Sequence, residues 1–189
     1  FNSASGQYSA TICGSSNSAS GTGSSVLSGY SGVARSIVGN TIFAGSVNPI
    51  NTTQGVSQAG LLILGRQTTD ATATILRSNA SAASTNNQVI LPNNSAYYFK
   101  GSVIANVTGA ANGASWSFEG AIMRGANAAS TVLIGTPAIN RVAATAGATA
   151  WAIALTADTT NGGLAVTVTG AASTTIRWVA KLETTEVTY

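Results

Sequence analysis

The chain has 189 residues, of which 44% are hydrophobic and only 7% are charged, against about 25% charged residues in an average soluble domain. Its net charge of +3 comes from scattered side chains, so no basic patch for nucleic acid is expected. The absence of histidine excludes Ser-His-Asp and Cys-His catalysis and removes the commonest transition-metal ligand. We therefore predict no metal site, no cofactor and no nucleic-acid partner.

The first part of the chain is built on a repeat of fifteen residues. SASGQYSATICGSSN (3–17) is followed at once by SASGTGSSVLSGYSG (18–32), and a degraded third copy occupies 33–47. One strongly apolar position recurs in all three copies, as Ile12, Leu27 and Ile42. Such a period predicts a stack of rungs, each of two short strands, in which every rung buries its face on the next.

This apolar row is too small to stabilise an isolated stem. Three chains that packed Ile12, Leu27 and Ile42 onto a common axis would bury more surface, which favours a homotrimer. The lone Cys13 is expected to be a small buried hydrophobe. The phrases resemble the Ser/Ala/Gly repeats of trimeric β-rolls, which occur in the heads of bacterial trimeric adhesins and in phage tail fibre stems.

The pattern changes after the repeat. NPINTTQG (48–55) is rich in turn residues, so 48–59 is predicted to be a junction. From residue 60 to residue 189 the chain alternates apolar and polar residues in short runs, as in TIRWVAKLETTEV (175–187). The other strand candidates are 60–66, 72–77, 87–91, 96–107, 115–123, 131–135, 151–157 and 162–170.

About ten short strands without a helix predict an all-β chain. We expect a Gly/Ser-rich, β-roll-like trimeric stem (1–47) followed by a jelly-roll-like antiparallel β-sandwich head (60–189). DTTNGG (158–163) is predicted to be a hairpin turn between two of the strands. Alternation predicts the following head core: Trp116, Phe118, Trp151, Ile153, Leu164, Val166, Trp178 and Leu182.

The head also carries a more specific resemblance. LPNNSAYYFKGSVIAN, WSFEGAI and above all AWAIALTADTTNGGLAVTVTGAASTTIRWVAKLETTEV are similar to the C-terminal domain of many phage tail fibre and tailspike proteins. The similarity covers most of 60–189 and is sharpest at 150–187. It implies a homotrimeric, mostly β, distal head that recognises a receptor on the bacterial surface.

Candidate ligand contacts are aromatic, lysine and amide side chains that a sandwich core does not need. In AYYFK (96–100) an inward Tyr97 and Phe99 would leave Tyr98 and Lys100 outward, either for a ligand or for a neighbouring subunit. Asn112, Asn127 and Asn161 are candidate hydrogen-bonding residues in loops, although each is equally typical of a turn.

Carboxylate catalysis would need two carboxyl groups about 5–10 Å apart. Five acidic residues are available, and surface solvation or ion pairing explains each of them: Asp70, Glu119, Asp158, Glu183 and Glu186. Glu183 and Glu186 are three residues apart, so a strand would point them to opposite faces. A non-enzymatic protein is therefore expected.

Composition and periodicity predict the repeat stem and the β-rich head, and the resemblance implies the distal part of a phage tail fibre, a homotrimer carried on the virion that binds a bacterial polysaccharide or protein. The alternatives are a structural fibre whose head mainly nucleates trimers, a bacterial trimeric adhesin and, last, a depolymerase. The longest apolar runs, 59–65 and 150–155, are too short to cross a bilayer, and membrane insertion is not expected. The start at Phe1 rather than Met indicates a piece of a longer protein.

Overall fold

The protein is all-β, with 51% of its residues in strands. A computed structural model describes residues 1–47 and 49–189, and no α-helix occurs within those ranges. Asn48, the first residue of the predicted junction, lies outside the described residues. The strands are β1 (Ser3–Ala4), β2 (Ala10–Thr11), β3 (Ser18–Ala19), β4 (Ser25–Ser28), β5 (Thr41–Ala44), β6 (Ser57–Thr68), β7 (Thr74–Ile75), β8 (Val89–Ile90), β9 (Ser95–Val107), β10 (Gly113–Arg124), β11 (Val132–Leu133), β12 (Ala138–Ala144), β13 (Ala152–Asp158), β14 (Gly163–Thr169) and β15 (Ile176–Thr188), with three 3₁₀ turns at Thr108–Ala110, Ala128–Ser130 and Ala146–Ala148.

The stem is a stack of parallel rungs. Strand β1 pairs with β3 in the register Ser3 to Ser18, and β2 pairs with β4 in the register Thr11 to Val26. Both registers join residues fifteen positions apart, as the repeat predicts. Between β4 and β5 the spacing is sixteen at Ser25–Thr41 and Val26–Ile42, and it returns to fifteen at Ser28–Phe43 because Leu27 is an unpaired extra residue in β4.

The interior of the stem differs from the predicted row. Ala19, Val26, Ala34 and Ile42 form its buried apolar cluster, whereas Ile12 is 63% exposed and Leu27 is half-buried. Ile12 and Leu27 each follow an interior position by one residue, and successive strand residues face opposite sides. Within one chain the prediction is therefore confirmed for Ile42 and wrong for Ile12 and Leu27, because Val26 and not Leu27 aligns with Ile42. Cys13 is also exposed rather than buried, and packing of Ile12 between chains stays a prediction.

Polar and small residues supply the remaining stem contacts. Asn17 is buried, and its side chain donates to the Cys13 and Gly29 carbonyls and accepts from the Gly32 amide. Asn2, fifteen residues earlier, makes the equivalent contacts with Gly14 and Asn17. Together, Asn2 and Asn17 form an asparagine ladder that joins each rung to the next.

Glycine is required where rungs meet at their corners. Gly14 and Gly29 have φ of +88° and +97°, a region that L side chains rarely adopt. A Cβ on Gly14 would collide with the Gly29 carbonyl, and one on Gly29 would collide with the Ala44 carbonyl. The Gly-rich composition of the repeat therefore permits close stacking of the backbone.

The stem continues without interruption into the head. Nine strands form one large sheet in the order β11-β10-β9-β15-β6-β5-β4-β2, with β12 also paired to β10. Strand β6 pairs antiparallel with β5 of the stem and with β15 of the head. Strands β6 and β10, with 12 residues each, are longer than the predicted runs 60–66 and 115–123, whereas β9 and β15, with 13 each, match 96–107 and 175–187 within one residue.

A second sheet covers one face of the large one. It contains β13, β14, β7 and β8, and β13 and β14 form the hairpin predicted around 158–163. The two sheets share a single apolar core in a sandwich-like arrangement. All predicted core residues lie in it as buried side chains except Ile153, which is half-buried at its margin. The finer prediction, a jelly-roll-like head on a trimeric stem, remains a prediction.

Three tryptophans fill the centre of this core. Trp178 stacks on Trp116 with ring centroids 5.8 Å apart and lies tilted against Trp151 at 5.7 Å. Its indole Nε1 donates to Thr68 Oγ1 at 2.9 Å, so the one polar atom of the ring is satisfied inside the apolar core. The guanidinium of Arg141 covers the other end of the cluster at 5.4 Å from the Trp116 ring.

A buried polar network joins the stem to the head. Arg35 of the stem forms an ion pair with Glu186 of β15, whose side chain is 4% exposed. Glu186 also accepts hydrogen bonds from Gln58 Nε2 at 2.8 Å and Thr184 Oγ1 at 2.7 Å. Gln58 in turn bonds both backbone groups of Val33. The orientation of the stem on the head is thereby fixed by specific bonds.

Candidate functional site

The outer face of the large sheet is open to solvent. Strands β5, β6, β15, β9 and β10 lie side by side here, and their outward residues form rows that cross the strands. Two neighbouring rows form hollows, an aromatic trough and an ion-pair groove. These hollows form the candidate site.

The aromatic trough is the row formed by Phe43, Ala59, Thr185 and Tyr98. Phe43 and Tyr98 are 44% and 43% exposed, and three strand spacings, about 14 Å, separate them. The small Ala59 and Thr185 between them leave a hollow of about 380 Å³. An aromatic ring therefore stands at each end of a shallow depression.

The ion-pair groove lies beside the trough, over strands β15, β9, β10 and β12. Its charged residues are Lys100, Glu119, Lys181 and Glu183, and its volume is about 480 Å³. Lys181 Nζ lies 2.8 Å from one Glu183 carboxylate oxygen, and Lys100 Nζ lies 3.3 Å from the other. These bonds from Lys181 and then Lys100 lower the pKa of Glu183 below its usual range.

The two hollows are continuous, because Lys100 and Glu183 line both of them. A further bond ties their walls, since the Tyr98 hydroxyl donates to Glu119 at 2.8 Å. This bond raises the pKa of Tyr98 and holds its hydroxyl group against Glu119. Ser102, Ser117 and Asn140 add neutral hydrogen-bonding groups to the ion-pair groove.

The structure places Tyr98 and Lys100 at this site but not the other predicted contacts. Tyr97 and Phe99 are buried, so Tyr98 and Lys100 face outward. Asn112 immediately precedes β10, and its side-chain oxygen accepts a hydrogen bond from Thr145 Oγ1 at 3.0 Å. Because β10 has twelve residues, Asn112 and Asn127 lie at opposite ends of an extended strand about 40 Å long.

Two of these asparagines have structural roles. Asn127 caps the 3₁₀ turn at Ala128–Ser130 by accepting from the Ser130 amide. Asn161 donates to the Asp158 carboxylate at 2.7 Å inside the β13–β14 turn. Their ligand role stays a prediction, and the described contacts show only the turn role.

Sequence reasoning did not select Phe43, Lys181 or Thr185. Phe43 lies in the degraded third copy of the repeat. The equivalent residues of the two earlier copies, Ser28 and Cys13, are both small, so the repeat does not predict an aromatic residue at this position. Lys181 and Thr185 alternate with the inward apolar residues of the last strand and therefore face outward. This alternation is the signal that could have identified them. Their convergence with Tyr98 depends on β15 lying between β6 and β9, which no local pattern reveals.

The acidic residues fall into distinct settings. Glu183 faces the groove and Glu186 faces the buried junction, as their spacing predicts. Glu119 and Glu183 lie in one row on either side of Lys100, two strand spacings or about 10 Å apart. A general acid needs a raised pKa, and the lowered pKa of Glu183 is the opposite of that requirement.

The comparisons with known proteins give no family. No protein-family model matches the chain, and no curated protein sequence matches it. Within residues 1–47 and 49–189, no group of three or more Cys, Asp or Glu side chains is placed to hold a metal ion. None of the helices described in the chain has the length and apolar character needed to cross a membrane.

Proposed function

We propose that the chain is the distal part of a phage tail fibre, a receptor-binding protein that attaches the virion to a bacterial surface glycan or protein. The observation that carries this proposal is the direct continuation of a repeat stem into a β-head with an open groove on the shared sheet. A stem that continues into a head with an open groove on their shared sheet suits adhesion to a surface. The resemblance of 150–187 to the C-termini of tail fibres supports the same function.

A homotrimer is part of the proposal, and exposed apolar surface supports it. Val179 and Ile104 are direct cross-strand neighbours on the outer face, and both are exposed. All seven residues of the edge strand β12 are exposed, including Ile139 and Val142. Contiguous exposed apolar surface is typical of interaction sites, and the unpaired edge of β12 would otherwise invite aggregation, so both features favour contact with another chain.

The proposal assigns no enzymatic activity, cofactor, nucleic-acid partner or membrane insertion to this chain. Its polar groove residues are ion-paired to one another, which suits recognition by hydrogen bonding. A depolymerase would instead release reducing sugar from the polysaccharide that it binds.

Adsorption to cells tests the proposal. The purified protein should bind intact host bacteria saturably and should compete with phage infection. Binding without competition, or no saturable binding, would favour a structural fibre that only nucleates trimers. Sedimentation should give about 56 kDa for three chains of 18.7 kDa, and a compact monomer would contradict the trimer.

A further inference from the structure

We infer that the aromatic trough and the ion-pair groove together bind an uncharged saccharide, with sugar rings stacked against Phe43 and Tyr98. This inference rests on the proposed function and specifies the class of its receptor. The site lies on the outer sheet face at the boundary between stem and head, where β5 meets β6.

The exposed phenylalanine is the first argument. At this register the preceding rungs carry Ser28 and Cys13, whereas the rung that adjoins the head carries Phe43. The fold therefore tolerates a small residue at this position, yet it exposes a large ring at the one rung that borders the trough. Exposed rings next to a concave surface are the feature that apolar sugar faces recognise.

The second argument is the arrangement of the two rings. Phe43 and Tyr98 occupy the ends of a single row. Between them, the small side chains of Ala59 and Thr185 leave the space between the two rings open. The Tyr98 hydroxyl is held by Glu119, so the ring is ordered before a ligand arrives. Hollows of about 380 and 480 Å³ lie within the range typical of ligand sites, about 300–1,000 Å³.

The charge of the groove decides the class of sugar. Lys100 and Lys181 contribute two positive charges, and Glu119 and Glu183 contribute two negative charges, so the four groups sum to zero. Both lysines already contact Glu183, and an acidic sugar would have to compete with this carboxylate. Paired lysine and glutamate groups offer donors and acceptors side by side, which match the vicinal hydroxyl groups of a neutral sugar.

Binding to immobilised bacterial polysaccharides tests the inference. A panel of neutral polysaccharides and a panel of uronic-acid polysaccharides are presented to the wild-type protein in low and high salt. Neutral members should retain the protein, and raised salt should not weaken retention because no net charge is neutralised. In parallel, glucose, galactose, N-acetylglucosamine and glucuronic acid are titrated while the ring signals of Phe43 and Tyr98 are followed by NMR.

Substitutions locate the site. Phe43→Ala and Tyr98→Ala should each weaken retention about three- to tenfold, as expected for loss of one aromatic contact. Tyr98→Phe keeps the ring and should retain most of the affinity. Asn106→Ala, on the same face about 26 Å from Tyr98, is the matched control and should bind as the wild type does. Near-ultraviolet circular dichroism and sedimentation of every variant verify folding and assembly.

The outcomes separate the inference from the function on which it rests. Normal binding by the Phe43→Ala/Tyr98→Ala double variant, or preference for acidic polysaccharides with loss in high salt, overturns the saccharide site and leaves the proposed function intact. A change in sedimentation of the trough variants identifies the trough as a subunit contact and also overturns it. Failure of the wild type to bind any polysaccharide or intact bacteria contradicts the proposed function itself.

Discussion

The stem and the head of this chain are stabilised by different kinds of interaction. The described stem interior holds four small or medium apolar residues together with buried asparagines, and its rungs are joined by backbone bonds. The head has an extended apolar core between two sheets, centred on three tryptophans. The same sheet serves both regions, so regular backbone pairing is compatible with two very different interiors. The comparison yields four predictions.

Truncation at the centre of the head should have the largest effect. Trp178→Ala removes a fully buried indole that contacts Trp116 and Trp151, and the loss of burial plus the cavity should lower the free energy of unfolding by about 3–5 kcal/mol. Chemical denaturation followed by circular dichroism measures it. Asn106→Ala, at an exposed residue of β9, should change stability by no more than about 0.5 kcal/mol. Equal effects would contradict a stability that is centred on the tryptophan core.

The junction should be the next most sensitive. Glu186→Ala leaves Arg35 buried without its partner, which should cost about 3 kcal/mol. Since Arg35 belongs to the stem, hydrogen exchange should accelerate at stem amides as well as in β15. Glu183→Ala removes an exposed carboxylate on the same strand and should cost at most about 1 kcal/mol. A head that loses stability while stem exchange stays slow would disprove the coupling.

Loss of a residue of the asparagine ladder should lower the free energy of unfolding less than loss of the junction ion pair, and its effect should be concentrated in the neighbouring rung. Asn17→Ala deletes three side-chain bonds and leaves the Gly32 amide without its acceptor, at a cost of about 2 kcal/mol. Native-state hydrogen exchange at Gly32 reports the loss directly. Asn2→Ala removes the equivalent residue from the exposed first rung and should have a clearly smaller effect. Similar effects at both positions would contradict a role for burial.

The smallest effect is a pH dependence of the head. Burial alone would raise the pKa of Asp158, but hydrogen bonds from Asn161, Gln88 and Thr160 outweigh burial and lower that pKa. Because the folded-state pKa is below the unfolded value of about 3.9, the stabilisation is complete above that value and is lost as the pH falls through the folded-state pKa. The stability difference between wild type and Asp158→Asn should therefore shrink in acid. Parallel pH curves would contradict this.

Patterns local in sequence predicted the fold well. The fifteen-residue period, the alternation of β15 and the turn at 158–163 each depend on neighbouring residues, and the registers confirm them. The edge strand β12 is not predicted from the sequence. All of its residues are exposed, so its sequence does not alternate between buried apolar and exposed polar positions. The alignment of Leu27 with Ile42 is wrong because the spacing at that point of the ladder is sixteen and not fifteen, so Val26 takes the place opposite Ile42.

The candidate site was predictable only in part. The alternation of AYYFK was enough to put Tyr98 and Lys100 outward if Tyr97 was buried. Phe43 and Glu183 join them through pairings between strands distant in sequence, from β5 to β6 and from β15 to β9. Such pairings follow from the whole packing of the sheet and are not encoded in any short segment.

The asparagine ladder also indicates the order in which the rungs of the stem fold. Asn17 bonds to Gly29 and Gly32 of the following rung, and Asn2 bonds to Gly14 and Asn17 in the same sense. Each side chain thus finds its partners only after the rung nearer the head exists. On this hypothesis the head folds first and the stem grows from it toward residue 1, and the Gly32 amide is the donor that Asn17 then meets. The Val38 amide bonds to the Asn86 carbonyl of the head, Ser18 to Gly32, and Ser3 to Asn17. Pulse-labelled hydrogen exchange during refolding should therefore protect Val38 before Ser18 and Ser18 before Ser3, and the reverse order would refute head-first growth.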